Sequence, residues 1–224
     1  MTFSPAFYRT AAVCSFVSAV TTLLLILLPK IYGPAGSIDE RMALVQHPWY
    51  QLRAWAYLLH PFVTLAAALG VGIALRRVSP GAVAGGFLGF LLWGFTEAGQ
   101  QTLTLTTFHR WAATYLQAYA SERQFIKGQL ATYDALWDAM FLLLLIGFFV
   151  GNFLYGFATI RGRGLTRLLG IFYFAAALLT AIGIVGELRG PILPAAAVTW
   201  FYLLLQPLAR ATIGLWLWRH QDTQ

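Results

Sequence analysis

Long apolar runs alternate with short polar breaks along nearly the whole chain. Runs of about twenty residues recur, each long enough as a helix to cross the ~30 Å hydrocarbon layer of a bilayer. The pattern predicts membrane-spanning helices at about 9–29, 52–76, 81–107, 132–159, 165–187 and 195–218. Pro29, Pro80, Gly190 and Pro191 fall where these helices are expected to stop or start. The short alternating segments of a β-barrel are absent. The expected fold is all-α: a polytopic membrane helix bundle of about six transmembrane helices, with residues 1–224 forming a single integral membrane domain. The first apolar run continues to Leu28 without a small-residue cleavage pattern, so it reads as a retained helix and not as a signal peptide.

Composition agrees. Of 224 residues, 59% are hydrophobic and 10% charged, whereas a soluble domain averages about a quarter charged. The surplus of apolar side chains needs lipid as well as a core to cover it. The net charge of +7 does not point to nucleic acid, because there is no zinc-finger spacing and no basic stripe interleaved with aromatics. The arginines cluster between apolar runs, which is a topological signal. Cys14 is the only cysteine, so an intrachain disulfide and CxxC chemistry are excluded.

The short connections carry Arg76, Arg77, Arg161, Arg163 and Arg167, and the end segments carry Arg9 and Arg219. Six spans would place all of these on one side. The positive-inside rule then predicts both termini in the cytoplasm of a cell inner membrane, with the longer connections on the other face. In the first long connection, Ser37-x-x-Glu40 has capping-box spacing and predicts a short helix to about Gln46, stopping before His47-Pro48. The second, residues 109–133, mixes aromatics with charges. A solvated connection with interfacial aromatics is the preferred reading, against a helical hairpin or extensions of the flanking spans.

Polar residues inside apolar runs are the candidate chemistry. Glu97, Gln100, Gln101 and Thr104 follow i, i+3, i+4, i+7 spacing and share one helix face. Glu97 lies ~24 Å along the third span from its start. A charge at mid-bilayer costs at least ~2.5–3.5 kcal/mol, so this face should turn away from lipid. Tyr57, His60 and Thr64 share a face of the second span, and Asp134 and Asp138 stand i, i+4 on the fourth. His60, Glu97 and Asp138 are therefore expected to face one another as candidate catalytic groups. Gln100, Gln101, Tyr57, Trp93, Asp134, Trp137, Gln206 and Arg210 are candidate ligand-binding groups. Arg210, on the sixth span beyond Gln206-Pro207, has Glu97 as its natural deep partner.

The leading expectation is a multi-pass protein with a carboxylate-lined, outward-facing vestibule that binds or transports a small molecule or ion. The alternative is an intramembrane acid–base enzyme, isomerase or cyclase in type, acting on a lipid-like substrate through Glu97 with Asp138 or His60. A noncatalytic subunit or assembly factor is a third possibility. Nucleophile motifs, phosphate loops, dinucleotide motifs, H-E-x-x-H and E-x-x-H are all absent, so no metal or cofactor is assigned. Membrane lipid is the expected surroundings. Gly85-x-x-x-Gly89 and Gly147-x-x-x-Gly151 are close-packing seams, either internal or between copies in a homo-oligomer.

Overall fold

The structure is a computed structural model and describes residues 3–220, with the side chains of 195–199 and 201 outside the description. The apolar runs fold as helices α1 (Pro5–Tyr32), α3 (Pro48–Leu75), α4 (Pro80–Leu103), α6 (Ala120–Thr159), α7 (Leu165–Arg189) and α8 (Ala195–His220). A short α2 (Ile38–Leu44) and an α5 (His109–Gln117) lie at one end. A π-helical turn, Thr104–Phe108, joins α4 to α5, so 80–117 is one continuous rod. Among the described residues there is no strand. Among the described residues, five helices are long and apolar enough to cross a membrane. The sixth expected span coincides with α8, whose first residues include those without described side chains.

The long helices pack in chain order as a ring: α1 on α3, α3 on α4, α4 on α6, α6 on α7, α7 on α8, and α8 back onto α1. At the termini end, Tyr8 of α1 meets His220 of α8 ring to ring at 5.3 Å. The main core fills this half, with Tyr8, Val71, Phe90, Trp93, Tyr155, Leu169 and Leu217 all buried. The two glycine motifs face each other within the chain. A Cβ on Gly89 would lie 2.6 Å from the Gly151 nitrogen, and one on Gly147 would lie 2.8 Å from the Gly89 oxygen. Backbone therefore touches backbone where α4 crosses α6. The seam is internal.

Proline starts three helices, where its missing N–H costs no intrahelical bond. Pro29 departs from expectation, because α1 runs through it to Tyr32. Proline there deprives the Leu25 carbonyl of its helical donor, and Arg53 of α3 donates its Nε–H to that carbonyl instead, at 3.3 Å. The α2 start matches its expected cap: the Glu40 N–H donates to Ser37 Oγ at 3.2 Å, and the Gly36 N–H donates to the Glu40 carboxylate at 2.6 Å.

The connection over 109–133 is not the solvated loop that was preferred. Forty residues of α6 measure ~60 Å at 1.5 Å per residue, far beyond a ~30 Å hydrocarbon layer. The ends of α5 and α6 remote from the termini form a helical hairpin with a core of its own. Met42 and Val45 from the first connection pack there against Phe108, Ala112, Tyr115, Ile126, Leu130 and Tyr133. Tyr115 and Tyr133 are buried inside this cap, whereas Tyr119 and Phe125 are exposed. Tyr115 donates its hydroxyl to Asp39. Arg41 makes a two-pronged pair with Asp134 at 2.6 and 2.9 Å and lies over the Phe108 ring. The hydrogen bond to Asp134 raises the pKa of Arg41 further, so this cap keeps its cation at every accessible pH.

Candidate functional site

Between the cap and the glycine seam, α3, α4 and α6 part around a cavity of about 360 Å³. The expected polar face of α4 lines it: Glu97, Gln100, Gln101 and Thr104, all buried within the protein. The opposite walls are Tyr57, Arg53 and Tyr50 of α3 and Trp137, Phe141 and Leu144 of α6. Two bonds tie α4 to α6 beside it. The Gln100 side chain donates to the Trp137 carbonyl at 3.0 Å, and the Thr104 and Tyr133 hydroxyls share a bond at 3.1 Å.

The arginine and the glutamate in the wall differ in how they are served. Arg53 is engaged: it donates to the Leu25 carbonyl and to the Tyr32 hydroxyl at 3.2 Å, and its guanidinium lies 4.9 Å from the Tyr57 ring centre. Glu97 is not. Its Oε1 is buried with no partner among the described residues. A buried polar atom without a partner costs ~1–3 kcal/mol, more if charged, and calls for an unseen donor.

One layer nearer the termini lies a second polar set, on α1, α3 and α8. Arg210 donates through Nη1 to Thr64 Oγ1 at 3.0 Å, and Thr64 donates to the His60 carbonyl at 2.8 Å. That leaves the Ser18 hydroxyl as donor in its 2.7 Å contact with Thr64. Thr21 donates to the Ser18 carbonyl and contacts His60 Nδ1 at 2.7 Å. Trp93 separates the two layers: its ring meets His60 edge-on at 5.9 Å, and Arg210 sits 5.9 Å from its centre.

Of the expected site residues, Tyr57, Glu97, Gln100, Gln101 and Trp137 share the large cavity. Gln206 and Arg210 line a smaller one, and Trp93 stands between. The structure does not gather His60 and Asp138 around Glu97 as expected. His60 is turned into the α1 hydroxyls, and Asp138 is exposed on α6 and absent from the cavity wall. Asp134 is likewise outside the cavity, held by Arg41. The 40° between i and i+4 on a helix is enough to send two aspartates to different surroundings. Arg210 and Glu97 do not form an ion pair, and the guanidinium lies against the Trp93 ring. Arg53 and Tyr50 were missed. The spacing of Arg53 to Tyr57, His60 and Thr64 (i, i+4, i+7, i+11) could have signalled the first. No group of three His, Cys, Asp or Glu able to hold a metal occurs among the described residues.

The fold and site define a class: a multi-pass α-helical bundle of membrane type with a polar chamber between its helices. No family model, curated protein or solved structure matches the chain, so the geometry alone carries the functional reading.

Proposed function

We propose that the chamber binds a small cationic or strongly hydrogen-bond-donating ligand, which the protein carries or senses across an inner membrane. With the arginine-rich short loops in the cytoplasm, the chamber lies toward the opposite face. The observation that supports this reading is the buried, unpartnered Oε1 of Glu97 in the wall of a cavity large enough for an organic ammonium ion. Arg53 does not compete for the same role, because its donors are already directed at Leu25 and Tyr32. Gln100, Gln101 and Tyr57 supply further polar contacts around a bound head group. Acid–base catalysis has less support, since neither His60 nor Asp138 stands opposite Glu97 as its partner.

The test is a thermal-shift series on purified protein with sodium, potassium, ethanolamine, choline and spermidine. At least one of these should raise the melting temperature saturably. Glu97→Gln should keep the ligand-free melting temperature and weaken that binding roughly tenfold or more, the worth of one charge-assisted hydrogen bond. Unchanged affinity in the variant, or no response to any of the five, would remove the proposal.

A further inference from the structure

The smaller cavity, about 40 Å³, lies in the middle of the bundle among α1, α3, α4, α6, α7 and α8. A water needs ~10–15 Å³ by this measure, so the space holds roughly three waters' worth of bulk, enough for a small inorganic ion. Its wall is chemically one-sided. Arg210 contributes a guanidinium that is only 8% exposed, with Nε buried and unpartnered. Tyr173 is buried in the same wall and brings a hydroxyl that can donate. Asn152 spends one amide hydrogen on the Phe148 carbonyl at 2.7 Å and keeps the other. No aspartate or glutamate lines the space.

A guanidinium stays protonated in proteins, and a charge inside a membrane bundle is expected to be paired. Arg210 has neutral acceptors only: Thr64 Oγ1 at 3.0 Å and Gln206 Oε1 at a long 3.5 Å. Glu97 acts on it electrostatically, yet no ion pair between them forms, and the guanidinium lies against the Trp93 ring. A buried cation, a free N–H, two further donors and a void of this size are what a small monovalent anion requires. We propose that this cavity is a site for an inorganic anion of the size of chloride or nitrate, with Arg210 as its charge and Tyr173 and Asn152 as its other donors. The proposal is independent of the chamber above, because it uses none of that chamber's wall.

The test begins with purified protein in sodium gluconate, an anion too large for the cavity. Replacing gluconate by chloride or nitrate at constant ionic strength should raise the melting temperature and saturate. Tyr173→Phe keeps the ring and the charge, and should raise the half-saturating concentration roughly tenfold through loss of one hydrogen bond to an ion. Arg210→Gln should abolish the response. Should that variant fail to fold, Tyr173→Phe decides. Glu97→Gln should retain the chloride response. In crystals soaked with bromide, an anomalous peak should lie within hydrogen-bonding distance of Arg210 Nε. A linear, unsaturable salt effect, an unchanged response in Tyr173→Phe, loss of the response in Glu97→Gln, or bromide only elsewhere would each overturn the assignment.

Discussion

Helices α4 and α6 meet twice, in opposite ways. Near the termini end they touch through Gly89, Gly147 and Gly151, with no side chain between the backbones. About three to four turns beyond, the same helices stand apart around the chamber, bridged by Gln100 to the Trp137 carbonyl and by Thr104 to Tyr133. Residue size accounts for the difference. Glycines let dispersion act at the shortest range, whereas carboxamides and aromatics hold the helices off and leave polar atoms facing a void. One helix pair thus supplies a close backbone seam and, above it, a cavity with an unpartnered carboxyl oxygen in its wall.

Breaking the seam should have the largest effect. Gly89→Val places side-chain carbon 2.6 Å from the Gly151 nitrogen and 2.9 Å from the Gly147 oxygen. Backbone cannot yield as a flexible side chain can. The expected cost is about 3 kcal/mol, at the upper end of overpacking penalties. Folded yield in detergent should fall sharply, measured by size-exclusion chromatography. A variant with wild-type yield and melting temperature would show that the two helices are not locked there.

The second test asks whether the polar layer is held as firmly by hydrogen bonds. Thr64 joins three partners: His60, Ser18 and Arg210. Thr64→Val keeps the volume and removes all three bonds. A membrane hydrogen bond is worth ~1–2 kcal/mol at most, and here a guanidinium loses its best acceptor. A loss of about 2 kcal/mol is expected, below that of Gly89→Val, and thermal denaturation would rank the two. Thr64→Ser should recover most of it. If serine fares no better than valine, packing of the methyl group and not the hydroxyl is what matters.

Which parts could be read before any coordinates were known follows from the range of the forces involved. The spans, the Ser37 cap and the shared face of Glu97, Gln100, Gln101 and Thr104 depend on neighbours within one helix, and spacing along the chain contains that information. Arg53 entered the chamber wall through its bond to Leu25, which exists because Pro29 lies on a different helix. Spacing within α3 puts Arg53 on the face of Tyr57, His60 and Thr64 but carries no trace of that bond. The hairpin stood second to a solvated connection for a related reason: its aromatics look the same whether they meet lipid head groups or a second core, and only Met42 and Val45 arriving from the first connection distinguish the two. Asp134 and Asp138 were paired by periodicity but divided by α2, which offers Arg41 to one and nothing to the other.

A smaller change bears on the chamber itself. Gln100→Leu is nearly equal in volume and removes the bridge to Trp137. That carbonyl lies inside α6, so the loss should stay near 0.6 kcal/mol, the average for a hydrogen bond between membrane helices. Stability should therefore barely move in thermal denaturation, while any ligand that saturates the chamber should bind several-fold more weakly. Equal binding in both proteins would mean that Gln100 is a strut and not part of the recognition surface.

The smallest equilibrium effect is expected farthest from the seam, at Arg41 and Asp134. The pair is two-pronged and short, which favours strength. The side chains are nevertheless 38% and 43% exposed, so water and salt screen the attraction. Exposed pairs measure ~0.2–1 kcal/mol in double-mutant cycles, and the upper half of that range fits this geometry. Arg41→Ala should cost more than Asp134→Asn, because it also strips the guanidinium from the Phe108 ring in the cap's core. The cycle over both variants isolates the ionic part, which should shrink as salt rises from 0.05 to 0.5 M (roughly, a Debye length falling from above 10 Å to below 5 Å). A coupling energy well above 1 kcal/mol, unmoved by salt, would show that the pair is shielded from solvent and that the cap, no less than the glycine seam, fixes how α4 and α6 stand apart.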